Sequence, residues 1–172
     1  NLMSEKKILL VDDHQLVLQG LQVLLENVED FKVVATAKNG KEALDYIANN
    51  SIDFLLIDVD MPVMNGIETT KLVKANHPEV KVLVLTMHDE KGLIQELLQL
   101  GADGYILKNS NQEDLVEALQ VIDSGKKYFS EEVTMKLANM NVEADVVPGE
   151  NLLKELTSRE IEILTCVAEG LS

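Results

Sequence analysis

At 172 residues the chain has room for one domain with a sizeable core and a remainder too short to be a second complete domain. Fifteen Lys and Arg against thirty Asp and Glu give a formal charge of −15, which opposes nonspecific attraction to nucleic acid or anionic lipid. Aromatics at 3% leave no stacking platform for single-stranded nucleic acid, while 46% hydrophobic residues are enough for a folded, aliphatic core.

The single cysteine, Cys166, excludes an internal disulfide and a Cys-based zinc cage, and fits a reducing compartment. The opening NLMSEKK lacks the apolar core of a signal peptide, and no run approaches the ~18 apolar residues of a membrane span. The expected location is the cytoplasm, with no membrane contact.

In chain order, ILLV (8–11) reads as a first strand and ends in the acid pair Asp12 and Asp13. Leu16, Val17, Gly20, Leu21 and Leu24 follow at helical spacing. VVATA (33–37) is a second strand, and Ala43, Leu44, Ile47 and Ala48 mark a second helix. FLLI (54–57) then runs straight into Asp58, with Asp60 two residues on and a Pro-x-x-Asn-Gly turn at 62–66. Ile67, Leu72 and Val73 mark a third helix; VLVL (82–85) is a fourth strand, ended by Thr86. Leu93, Ile94, Leu97 and Leu98 mark the fourth helix, GYIL (104–107) the fifth strand, ended by Lys108, and Leu115, Ala118, Leu119 and Ile122 the fifth helix.

Five strands alternating with five helices predict an α/β fold, a five-stranded parallel doubly wound sheet covered on both faces. Ligand sites in such sheets lie beyond the carboxyl ends of the strands, near a switch in strand order. Asp12, Asp13, Asp58, Thr86 and Lys108 all fall at such ends. After Gly125 the alternation stops: 130–140 (SEEVTMKLANM) reads as a further helix and 141–151 (NVEADVVPGEN) as an acidic Pro-Gly linker. The last stretch, LTSREIEILTCVAEGLS, reads as one amphipathic helix capped by Thr157 with Glu160 three residues later.

Three carboxylates in one pocket repel one another unless a cation sits among them, and magnesium suits a site of few carboxylates plus a phosphate. Thr86 and Lys108 suit phosphoryl oxygens, one as a hydrogen-bond donor and one as a point charge. A carboxylate can itself attack phosphorus to give an acyl phosphate, and Asp58, at the end of a central strand, is the nucleophile candidate.

Taken together in this order and spacing, VDDH (11–14), LLIDVDMPVMNG (55–66), VLVLT (82–86) and GYILK (104–108) resemble the receiver domain of two-component response regulators. The resemblance implies a flavodoxin-like receiver over residues 5–127 in which Asp58 accepts a phosphoryl group from a sensor histidine kinase. It implies magnesium held by Asp13 directly, Asp12 through water, Asp58 and the main-chain carbonyl of Asp60, with Thr86 and Lys108 on the phosphoryl oxygens. Tyr105 matches the switch aromatic of that family, expected to turn inward as Thr86 moves. Asp60 and His88, two residues beyond Asp58 and Thr86, take positions that flank the path of the attacking water and would tune dephosphorylation. Asn109 stands where the usual receiver has Pro after the lysine.

The terminal stretch is similar to the first helix of a LuxR-type helix-turn-helix domain, which begins Leu-Thr-x-Arg-Glu and closes Ala-x-Gly-Leu-Ser. The expected organisation is a receiver over 5–127, a helix and linker over 128–153, and the start of a truncated helix-turn-helix domain over 154–172. Transcription control by the complete protein follows, with DNA bound by that protein and not by this fragment, which lacks a recognition helix. A phosphorylation-promoted homodimer is expected, through the fourth helix, fifth strand and fifth helix or through the first and fifth helices. Beyond slow chemistry on its own Asp58, the chain is not expected to be an enzyme.

Two rivals remain. A receiver working through protein contacts alone fits the acidic tail, where Lys154 and Arg159 face five acids within 150–172. IDVDMPV also resembles the first motif of the haloacid-dehalogenase-like phosphatases, but there the nucleophile's strand comes first and the acid pair last, the reverse of the order here.

Overall fold

The computed structural model describes residues 5–87, 91–108 and 110–129, and the backbone of 147–148. The strands are β1 (Lys6–Val11), β2 (Phe31–Ala37), β3 (Phe54–Asp58), β4 (Lys81–Thr86) and β5 (Gly104–Leu107). The helices are α1 (Gln15–Leu25), α2 (Gly40–Asn49), α3 (Gly66–Asn76), α4 (Lys91–Gln99) and α5 (Gln112–Asp123). The expected alternation is present, with strand starts extended by up to two residues. Two short strands were not anticipated, β6 (Tyr128–Phe129) and β7 (Val147–Pro148), the second of them inside the expected linker. Two residues are too few to display the period-2 pattern of a strand. The helix expected at 130–140, the terminal helix with its Thr157 cap and Cys166, the Lys108–Asn109 junction and His88 lie outside the described residues.

The described residues fall into two compact units. In the first, β1 lies between β2 and β3, and β4 flanks β3, all parallel. The chain therefore goes from β1 outward to β2 on one side and returns to β3 on the other, so the reversal of winding falls between β1 and β3. That is the crevice in which the carboxyl ends of open α/β strands present ligand sites. β3, β4 and the second half of β1 are buried on both faces and so read as near-continuous apolar runs, whereas β2 is buried only at its ends, Phe31 and Ala37. Ile8, Leu9, Leu10, Phe54, Leu55, Leu56, Ile57, Val82, Leu83 and Val84 are each at most 1% exposed. Phe31 meets Phe54 edge-on, with ring centroids 5.6 Å apart and planes at 77°, the geometry favoured by the ring quadrupole.

α2 and α3 open with asparagine caps: Asn39 Oδ1 accepts the amide of Glu42 and Asn65 Oδ1 that of Glu68, each at 2.9 Å. In α1 the phase differs from the expected stripe. Leu18 and Leu25 are buried, with Val17, Leu21 and Leu24 half-buried, while Leu16 is 81% exposed and Gly20 is exposed. The run QLVLQGLQVLL has apolar residues around most of the helix, so periodicity alone leaves its inward face undetermined by about one residue. α3 was under-read for the opposite reason, because Thr69 and Thr70 are buried beside Val73 on its inner face.

The second unit holds α4, β5, α5 and the two short strands. β5 pairs in parallel with β6, Gly104 beside Tyr128 and Tyr105 beside Phe129, and β6 with β7. Leu115, Ala118, Leu119 and Ile122 of α5 are all buried, as their spacing predicts, and Asn111 caps the helix by accepting the amide of Asp114 at 2.8 Å.

Candidate functional site

Two of the strand-end acids come together through strand register alone. Val11 lies beside Ile57 in the β1–β3 ladder, so one step further along Asp12 stands beside Asp58, on parallel strands roughly 4.8 Å apart. Asp12 is 2% exposed and Asp58 5%. On the other flank Asp58 pairs with Leu85, and the next residue, Thr86, ends β4 fully buried. Two buried carboxylates side by side repel one another, which makes a cation the favoured occupant of the crevice mouth.

Asp13 is less buried, with 29% of its side chain exposed. One ligand atom from each of Asp12, Asp13 and His14 lies within 4.8 Å of the others. The two carboxylates of this group are oxygen donors of the kind magnesium takes. His14 was not singled out in the sequence. It is the N-cap residue of α1 yet makes no side-chain cap bond. Its ring instead turns back, with Nδ1 3.2 Å from Asp12 Oδ1 and 3.2 Å from Asp13 Oδ1. Its main-chain N–H also donates to Asp12 Oδ1 at 2.9 Å, closing a tight turn at the end of β1.

The loop after Asp58 is shaped by glycines whose need is invisible in composition. A Cβ on Gly66 would run into the carbonyl oxygen of Asp58 and stand 2.9 Å from Val59 Cα. The Gly66 amide closes the loop by donating to the Val59 carbonyl at 2.9 Å. Gly40, at the start of α2, lets its amide reach the Met64 carbonyl at 3.1 Å, and a Cβ there would collide with the Thr69 hydroxyl. Between these anchors Val63 takes φ 71°, a region β-branched residues avoid, and the Met64 amide bonds back to the Pro62 carbonyl at 2.7 Å. Asp60 lies in this loop, exposed. The Pro-x-x-Asn-Gly signal was legible as a turn, whereas the fit of Gly66 under Asp58 is a tertiary contact with no local signature.

In the second unit Tyr105 is fully buried within β5, and Lys108 follows that strand, half-buried. Among the described residues no helix is long and apolar enough to cross a membrane.

Residues 8–120 match the family of the response regulator receiver domain. The chain is 38% identical to the transcriptional regulatory protein LnrK of Bacillus subtilis (strain 168), over 96% of this chain and 78% of that protein. A two-component response regulator of the LuxR family from Aurantimonas sp. SI85-9A1 superposes with a TM-score of 0.76 at 30% identity, covering 80% of this chain and 98% of that one. RcsB, in a structure of two RcsB dimers bound to two parallel DNAs, superposes with a TM-score of 0.74 at 27% identity, covering 98% of this chain and 79% of that one. The fold is thus the flavodoxin-like receiver fold, and the relatives are named as regulators rather than enzymes. The chain belongs to the response regulators of two-component systems, with its receiver domain over residues 8–120.

Proposed function

We propose that this regulator is switched by transfer of a phosphoryl group from the phosphohistidine of a sensor kinase to Asp58. A carboxylate oxygen of Asp58 attacks phosphorus, the P–N bond to the kinase breaks, and an acyl phosphate remains. The observation that carries this reading is the register placing Asp58 beside Asp12 at the winding reversal. Magnesium, held by Asp13, by Asp12 through water, by Asp58 and by the Asp60 carbonyl, would neutralise charge on the phosphoryl oxygens. Thr86 donates its hydroxyl to one of those oxygens and Lys108 its ammonium to another. Tyr105 follows Thr86 as the switch, and Asp60 and His88 steer the hydrolytic water.

The output is transcription control by a protein in which residues 154–172 begin a helix-turn-helix domain, with the receiver over 5–127 and the segment 128–153 between them. The RcsB complex, a dimeric relative on DNA, supports that reading. For the phosphorylation-promoted dimer, α1 is favoured as the contact surface, because Leu16 and Val23 are 81% and 67% exposed and lie two turns apart on one side of it.

Beryllofluoride binding tests the proposal. The chain should bind this phosphoryl mimic only with magnesium present, and Asp58→Asn should not bind it. Equal binding by Asp58→Asn would overturn the assignment.

A further inference from the structure

We infer that His14 is a positioning residue that bridges Asp12 and Asp13 and must swing away for a divalent cation to enter. This inference rests on the magnesium reading above.

Nδ1 of His14 stands 3.2 Å from an oxygen of each acid, between the two groups that the cation would have to engage together. A ring nitrogen there does part of a cation's work. With its N–H on Nδ1, the ring can donate to both carboxylate oxygens and ease their repulsion. Direct coordination at about 2.0–2.1 Å requires the Asp13 oxygen to turn a lone pair to the metal, and the water-bridged approach to Asp12 crosses the same space. The imidazole and the ion therefore compete for one position.

The local structure permits the exchange. The His14 side chain is 65% exposed, whereas that of Asp12 is 3% exposed, so the ring can leave while the acid stays. The turn itself does not depend on the ring, because the main-chain N–H of His14 still donates to Asp12 Oδ1. The ring is also unused as a helix cap, so its departure leaves the start of α1 unchanged.

Magnesium titration of the full chain by calorimetry, at one fixed pH, tests this. His14→Ala, which removes the competitor, should bind magnesium about 3–10-fold tighter than the parent, the range set by one lost hydrogen bond. His14→Asn, whose amide N–H stands at the Nδ1 position, should keep the parent affinity. In the parent, saturating magnesium should shift the imidazole resonance assigned by its absence in His14→Ala, and leave that of His77 in place. An unchanged or weaker affinity in His14→Ala, an Asn variant as tight as the Ala variant, or an unmoved His14 resonance would each overturn the inference. Asp13→Asn separates the two levels: if it binds magnesium like the parent, the metal reading itself fails, whereas its loss of binding beside an unaltered His14→Ala affinity defeats only the role of His14.

Discussion

Gly66 shows how far a single residue governs the loop after Asp58. Because an added Cβ meets the backbone of Asp58 and Val59, neither of which can rotate away, Gly66→Ala forces the loop to shift. The expected cost is about 1–3 kcal/mol in a denaturant titration, with loss of beryllofluoride binding at Asp58. Thr70 predicts the opposite sign. Its hydroxyl is fully buried and has no hydrogen-bond partner among the described residues, so it carries a desolvation penalty with nothing in return. Thr70→Val keeps the shape and should raise stability by about 1 kcal/mol, read as a higher denaturant midpoint with an unchanged slope.

At the scale of elements, the three asparagine caps give a matched set. Asn39→Ala, Asn65→Ala and Asn111→Ala should each cost about 1 kcal/mol, since each removes one acceptor from an otherwise orphaned helix amide. Only Asn65 sits on the loop that leaves Asp58, so only its variant should also slow phosphotransfer from a small donor. Equal slowing in all three would trace the effect to general destabilisation.

The same elements explain what the sequence made legible. β1, β3, β4 and β5 were readable because burial makes each of them largely an apolar run, and Asp12, Asp58, Thr86 and Lys108 stood out because each interrupts such a run at its carboxyl end. The inner face of α5 was readable because its polar positions are unambiguous. α1 was misphased because it is apolar on most sides, and Thr69 and Thr70 were passed over because buried threonines carry no periodic signal. His14 was missed for a related reason: its importance lies in where its ring turns, which follows from the tight bend at the end of β1 and not from any spacing.

For the whole molecule, the proposed phosphoryl switch joins strand register, a metal and one carboxylate to assembly. Replacing Leu16 and Val23 on α1 by lysine should leave acceptance of the phosphoryl group intact while abolishing the dimer gained on phosphorylation. That gain is expected to be about 5–150-fold in dimer affinity, and sedimentation with and without beryllofluoride reads it. Assembly unaffected by the double substitution would move the contact to the face of α4, β5 and α5. The most direct measurement is chemical: incubate the chain with a small phosphodonor, with and without magnesium, and map the added group by mass spectrometry. The expected result is one hydroxylamine-sensitive phosphoryl group on Asp58, formed only with magnesium and absent from Asp58→Asn. Equal labelling of Asp58→Asn, or full labelling without the metal, would contradict it.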